Sequence, residues 1–107
     1  KKAQDDIKDL RNKLSEKSYE SGVLYMKMEE YKAALLAFEQ VTELYYDTEY
    51  IDQTHLKIIE CYFRRGELEI SRNHFDSKRK HIENLGMAEV VEKWFELGRV
   101  MRKIEVK

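Results

Sequence analysis

The sequence predicts an all-α protein built from helical hairpins, and three observations carry that reading. Apolar residues recur at steps of three and four, the spacing that gathers side chains on one face of an α-helix. Helix breakers are scarce, with no Pro and 4 Gly in 107 residues. Charged residues make up 38% of the chain against 42% hydrophobic, a balance that suits helices each keeping one solvated face.

The pattern is clearest between Tyr19 and Thr48. Gly22, Tyr25 and Met28 precede a charged break at Glu29-Glu30, after which Tyr31, Ala34, Leu35, Phe38, Val41 and Tyr45 mark a second helix. The small residues Gly22 and Ala34 allow two helix backbones to approach closely, while Tyr25, Tyr31 and Phe38 are bulky enough to fill the crossing. This alternation of small and bulky positions follows the spacing of the tetratricopeptide repeat, a helix–turn–helix unit of roughly 34 residues.

The remaining elements follow in order. Ile7, Leu10 and Leu14 continue the helical spacing upstream without a breaker, so residues 3–28 read as one helix of about 39 Å. Its first half is expected to link from a preceding unit. The next helix covers 31–45, and a third covers 49–64, with Asp47 and Thr48 offering side-chain oxygens to cap its free N–H groups. Gly66 suits the positive φ of a helix end. A fourth helix is expected over 67–84, with Leu68, Phe75, Ile82 and Leu85 inward and Lys78 interrupting the stripe. A last helix spans 88–105.

Self-comparison supports a repeat. A shift of 37 carries Tyr25 to Tyr62, Lys27 to Arg64, Glu30 to Glu67, Ala34 to Ser71 and Phe38 to Phe75. A further shift of 39 reaches Trp94-Phe95-Glu96-Leu97-Gly98, where Trp94, Leu97 and Gly98 match the opening of a tetratricopeptide unit. The expectation is one domain over 1–107: about five helices in about two and a half repeats, stacked as a right-handed solenoid and closed by the last helix. Gly22, Tyr25, Tyr31, Ala34, Phe38, Tyr62, Phe75, Trp94, Leu97 and Gly98 are the expected repeat core. Met101 and Ile104 join Trp94 and Leu97 inward, and Lys93, Glu96, Arg99 and Lys103 stay wet.

Catalytic and metal chemistry find no support in the pattern. His74 and His81 share a helix face but stand two turns apart, about 10.5 Å, too far to bind one metal; with His55 they read as surface or packing residues. Asp5-Asp6 and Glu29-Glu30 are sequence neighbours whose side chains diverge on a helix. No serine sits in a nucleophile elbow and no Gly-rich phosphate loop exists. Cys61 reads as a small buried apolar residue, and Glu60 before it is wrong for a lipid-attachment site. The reading is of a non-enzyme with no cofactor. A net charge of −1 provides no field for nucleic acid, despite the basic runs Lys78-Arg79-Lys80 and Arg99-Arg102-Lys103. No apolar run approaches the roughly 18–20 residues of a membrane span. The lack of an initiator Met reads as a processed or trimmed chain.

Protein binding is the class left with positive signals. A concave groove along the first helix of each unit would present Tyr19, Val23, Met26 and Lys27, then Leu56, Glu60, Phe63 and Arg64, then Phe95, Arg99 and Arg102. Aromatic and Met residues interleaved with Arg and Lys suit protein interfaces, though the apolar members could equally cover neighbouring helices.

The order of motifs resembles one family. Leu10-Arg11-Asn12-Lys13-Leu14-Ser15-Glu16, then Tyr25, then the run from Glu30 to Thr48 is similar to the C-terminal half of the BamD (YfiO/ComL) family, tetratricopeptide lipoproteins of the β-barrel assembly machinery. Tyr45, Asp47 and Thr48 fit that family's repeat ending, with Tyr46 where it has Pro. The resemblance covers roughly residues 4–85. It implies a site at the periplasmic face of a bacterial outer membrane, with membrane association through an upstream lipidated cysteine. It also implies a scaffold that docks a BamA-like POTRA domain, with other assembly-machinery lipoproteins as further candidates. For the docking face the outer side of the second helix stands out: Lys32, Leu36, Glu39, Gln40 and Glu43, with Asp47 and Glu49 in the following turn. Leu36 there faces away from the Ala34–Phe38–Val41 stripe. A cytosolic peptide-binding module using Lys27, Arg64 and Arg99 against an acidic tail is the alternative, and a plain helical spacer a third.

Overall fold

The computed structural model describes the backbone over residues 2–106 and side chains over 5–99. Six helices follow one another: α1 (Lys2–Lys27), α2 (Tyr31–Leu44), α3 (Ile51–Arg64), α4 (Leu68–Ser77), α5 (Arg79–Asn84) and α6 (Ala88–Val106). Among the described residues there is no strand. Each helix packs on its neighbours in the chain, and α3 receives both α4 and α5. The result is an elongated body of 62 × 27 × 17 Å.

Three connections share one geometry. After α1, the Glu29 N–H donates to Met26 O and the Glu30 N–H to Tyr25 O. After α3, Gly66 and Glu67 donate to Phe63 and Tyr62; after α5, Gly86 and Met87 donate to Glu83 and Ile82. This is the six-to-one and five-to-two pairing of a Schellman ending, which places one residue at positive φ. Gly66 (φ 80°) and Gly86 (φ 68°) adopt it without a Cβ to obstruct, while Glu29 (φ 59°) adopts it with a side chain. Glu29 and Gly66, 37 residues apart, thus both take positive φ.

Two clusters form the core, one on each side of α3. Met26, Ala34, Leu35, Phe38, Ile58 and Cys61 make the first, with Tyr19, Val23, Tyr31 and Tyr62 packed against it. Ile59, Phe75, Ile82, Val91 and Phe95 make the second, covered by Leu56, Phe63, Met87, Ala88 and Trp94. The close approach expected at Gly22 is real: a Cβ there would stand 2.3 Å from the Phe38 ring. Gly98 lies less tightly against its neighbours, a Cβ there meeting Leu68 and Phe63 at 3.3 Å. Buried Ser71 donates from Oγ to Ile59 O at 2.8 Å and ties α4 to α3. Arg72 and Arg79 both grip Glu92, at 2.8 and 2.6 Å, holding α6 to α4 and α5.

Several expectations are corrected. The helix expected over 67–84 is two helices, broken at Lys78 (φ −117°, ψ 25°). Asp76 and Ser77 precede the break, residue types that compete poorly for helix interior, and the bend lets His74 and His81 converge on α3. Thr48 does not cap α3, whose first turn has no side-chain cap. Its hydroxyl donates to Tyr45 O at 2.7 Å and pairs with buried Ser15 Oγ at 2.7 Å.

The inward stripe of α1 runs through Ser15, Tyr19, Gly22 and Met26, which leaves Tyr25 38% exposed rather than in the repeat core. On α6 the stripe is Val91–Phe95–Gly98, so Leu97 is 63% exposed, and Phe95 is core rather than groove. Trp94 is half-buried, 6.1 Å from Phe63. Ile7, Leu10 and Leu14 are exposed. Met101, Arg102, Lys103 and Ile104 lie outside the described side chains.

Candidate interaction surface

The face expected for docking is open. Lys32, Leu36, Glu39, Gln40, Glu43, Asp47 and Glu49 are all exposed. Leu36 is 64% exposed, because the α2 side chains that touch α1 and α3 are Ala34, Leu35, Phe38 and Val41 on the opposite side. The structure adds two apolar residues that the sequence reading passed over, Leu44 (53% exposed) and Tyr46 (65% exposed). A steric count along α2 could have found Leu44, since it lies one turn beyond Gln40.

The turn after α2 is held by the N-terminal helix. Arg11 donates to the Leu44 carbonyl at 2.7 Å and to the Asp47 carboxylate, and its guanidinium stands 5.6 Å from the Tyr45 ring centre. The hydrogen bond from Arg11 holds the Asp47 carboxyl below its ordinary value. With Ser15 on Thr48, both segments that carry the sequence resemblance are clasped together across α1 and the turn. Between them lies a cleft of about 260 Å³ lined by Ile7, Lys8, Arg11, Asn12, Asp47 and Thr48. Ser18 on α1 donates to Gln40 Oε1 at 3.1 Å, which fixes one polar member of the face.

The concave groove is not assembled as expected. Met26 and Phe95 are buried in the two clusters, and Tyr19, Val23, Leu56 and Phe63 cover those clusters from outside. Tyr19 is sandwiched by Phe38 and Tyr50 at 5.9 and 5.4 Å between ring centres. Lys27 and Arg99 are exposed, and Arg64 is tied to Glu60 at 2.8 Å. A second cleft of about 320 Å³ joins Arg99 to Leu68, Glu69, Arg72 and Phe95.

Sequence reasoning separated the three histidines, and the fold brings them together. His55 Nδ1 lies 3.1 Å from His74 Nε2, and the His55 and His81 rings stack at 4.5 Å. His81 Nδ1 meets Asp52 Oδ1 at 2.6 Å. Burial, followed by the charges of its neighbours, pushes His55 down to about 3, and burial pushes His74 down to about 4. Among the described residues no group of three or more His, Cys, Asp or Glu is placed to hold a metal ion.

Cys61 is fully buried and its thiol is pushed up to about 12 by burial. No helix among the described residues is long and apolar enough to cross a membrane. Comparison with family models, curated proteins and solved structures finds no match to this chain.

Proposed function

We propose that this chain is a non-enzymatic docking scaffold, a tetratricopeptide-type array stacked in a right-handed sense, whose partner is a protein seated on the outer face of α2. One observation carries the reading: Leu36, 64% exposed and ringed by Lys32, Glu39, Gln40 and Glu43, makes no contribution to the core. An apolar centre inside a polar rim is the anatomy of a protein interface. The recurring helix ending at Glu29 and Gly66, and the Gly22–Phe38 approach, support the repeat assignment. The clasp of Arg11 and Ser15 on Asp47 and Thr48 supports treating the resemblance segments as one unit, since residues far apart in sequence build one surface. In the form the resemblance suggests, the partner is a POTRA domain of the barrel-inserting subunit at the periplasmic face of the outer membrane.

Capture of purified POTRA domains by immobilised chain tests this directly. Covering the exposed part of Leu36 is worth about 1–2 kcal/mol, so Leu36→Glu, which also strands a charge in the contact, weakens capture at least roughly tenfold. Helicity and melting temperature remain those of the parent. Equal capture by parent and variant would remove this face from consideration. The peptide-binding alternative draws on the cleft that Arg99 shares with Arg72 and Phe95. Its signature is a saturable shift of those residues' resonances on titration with short acidic C-terminal peptides.

A further inference from the structure

We propose that His55, His74 and His81 form a proton-operated latch that seats α4 and α5 on α3 at neutral pH and releases them in mild acid. This goes beyond the docking reading and does not depend on it.

The geometry sets the logic. His55 comes from α3, His74 from α4 and His81 from α5, so the cluster is the point where three helices meet. The 3.1 Å approach of His55 Nδ1 to His74 Nε2 requires one nitrogen to donate and the other to accept. That arrangement holds one proton between the two atoms. Protonating both rings fully would set two N–H groups head to head, each repelling the other. A third ring, His81, lies 4.5 Å from His55 at a tilt of 30°, and its proximity further disfavours the charged form of His55.

The groups facing the pair reinforce this. His74, His81 and Lys78 face His55 with positive or titratable charge, and Asp52 faces it with the opposite sign. Lys78 and His81 face His74. Asp52 is already engaged by His81 at 2.6 Å and by the Asn84 amide at 3.4 Å, so its carboxylate is shared before it can offset a charge on His55. The break at Lys78 lies between the two histidines of the α4–α5 arm, and supplies the bend that brings both rings onto His55.

The direction follows from linkage. Both rings titrate lower in the fold, near 3 and 4, than the ordinary value of about 6.5. The open arm therefore binds more protons, and seating is complete above about 6.5 and weakens as pH falls toward those lower values. Between pH 7.5 and 5, two rings at full weight shift the opening constant by roughly 30-fold each, a little under a thousandfold together. Partial exposure of His74 reduces this to about a hundredfold.

The test uses the full chain at pH 7.5 and 5.0. Amide-exchange protection, corrected for the intrinsic pH dependence, is compared between 68–84 and the α1–α2 hairpin. Trp94 provides a second readout, because it rests on Phe63 of α3 while Glu92 ties its helix to Arg72 and Arg79. The latch predicts about a hundredfold loss of protection in 68–84, little change in α1–α2, and a red shift of Trp94 emission. The double variant His55→Gln, His74→Gln abolishes the pH response. Equal losses in both regions, or none in 68–84, overturn the proposal. Should the double variant fail to fold, ring resonances of the parent decide: His55 and His74 titrating near 6.5 with 68–84 still protected would equally overturn it.

Discussion

Gly22→Ala is the sharpest probe of the architecture, because two effects of known sign oppose each other there. Alanine in a helix interior gains about 1 kcal/mol over glycine. Against it, the new Cβ would stand 2.3 Å from Phe38 Cε1 and 2.6 Å from Cδ1 and Cζ. Ordinary contact begins at 3.4 Å, so the ring must recede by about 1.1 Å. Phe38 has no room to do so, being fully buried with Tyr19 against it.

Overpacking a closed core costs about 1–3 kcal/mol, and a collision with the rigid body of a ring belongs at the upper end. The net expectation is a loss of about 2 kcal/mol, roughly 8 °C in melting temperature for a domain of this size. Urea unfolding followed by circular dichroism at 222 nm measures it. Phe38→Leu combined with Gly22→Ala should recover at least about 1 kcal/mol relative to additivity, since the pair is in contact. Gly98→Ala is the internal control. Its Cβ would meet Leu68 and Phe63 only at 3.3 Å, so the helix-propensity gain offsets a slight adjustment and stability stays near the parent. A Gly22→Ala chain as stable as the parent would refute the close packing of α1 on α2.

Two further outcomes follow from local geometry. Glu29 occupies at φ 59° the position that Gly66 and Gly86 fill at 80° and 68°. Left-handed backbone costs a side-chain-bearing residue about 1–2 kcal/mol, partly offset by the freedom glycine gains in the unfolded chain. Glu29→Gly should therefore stabilise by about 0.5–1 kcal/mol, seen as a higher urea midpoint; an unchanged or lower midpoint would contradict the strain. Cys61 is fully exposed only on unfolding, and its thiol is raised to about 12. Reaction with a disulfide reagent at pH 8 should be slower by orders of magnitude in the native protein than in 6 M guanidinium (about that concentration suffices for domains that are not hyperstable), and native-state reaction at the denatured rate would contradict the burial.

What the sequence determined by itself is the helical class and the places where helices stop. Those are local properties: a three-and-four spacing, a charged break at Glu29-Glu30, glycines at Gly66 and Gly86, and small residues where backbones approach. The exposure of Lys32, Leu36, Glu39, Gln40 and Glu43 on α2 was legible for the same reason, because Leu36 is plainly out of phase with Ala34, Phe38 and Val41. Tertiary structure decided the rest. A helix turns 100° per residue, so where apolar residues crowd together the inward one cannot be chosen by spacing. Trp94, Phe95 and Leu97 all qualify, and only contact with Phe63, Phe75 and Val91 places Phe95 inside and Leu97 in water. Tyr25 and Met26 pose the same ambiguity, and Ala34, Phe38 and Ile58 settle it in favour of Met26. The histidine cluster is less legible still. His55 and His74 are 19 residues apart in sequence, His55 lies on another helix, and the bend at Lys78 that gathers the rings is seen only with α4 and α5 in place on α3.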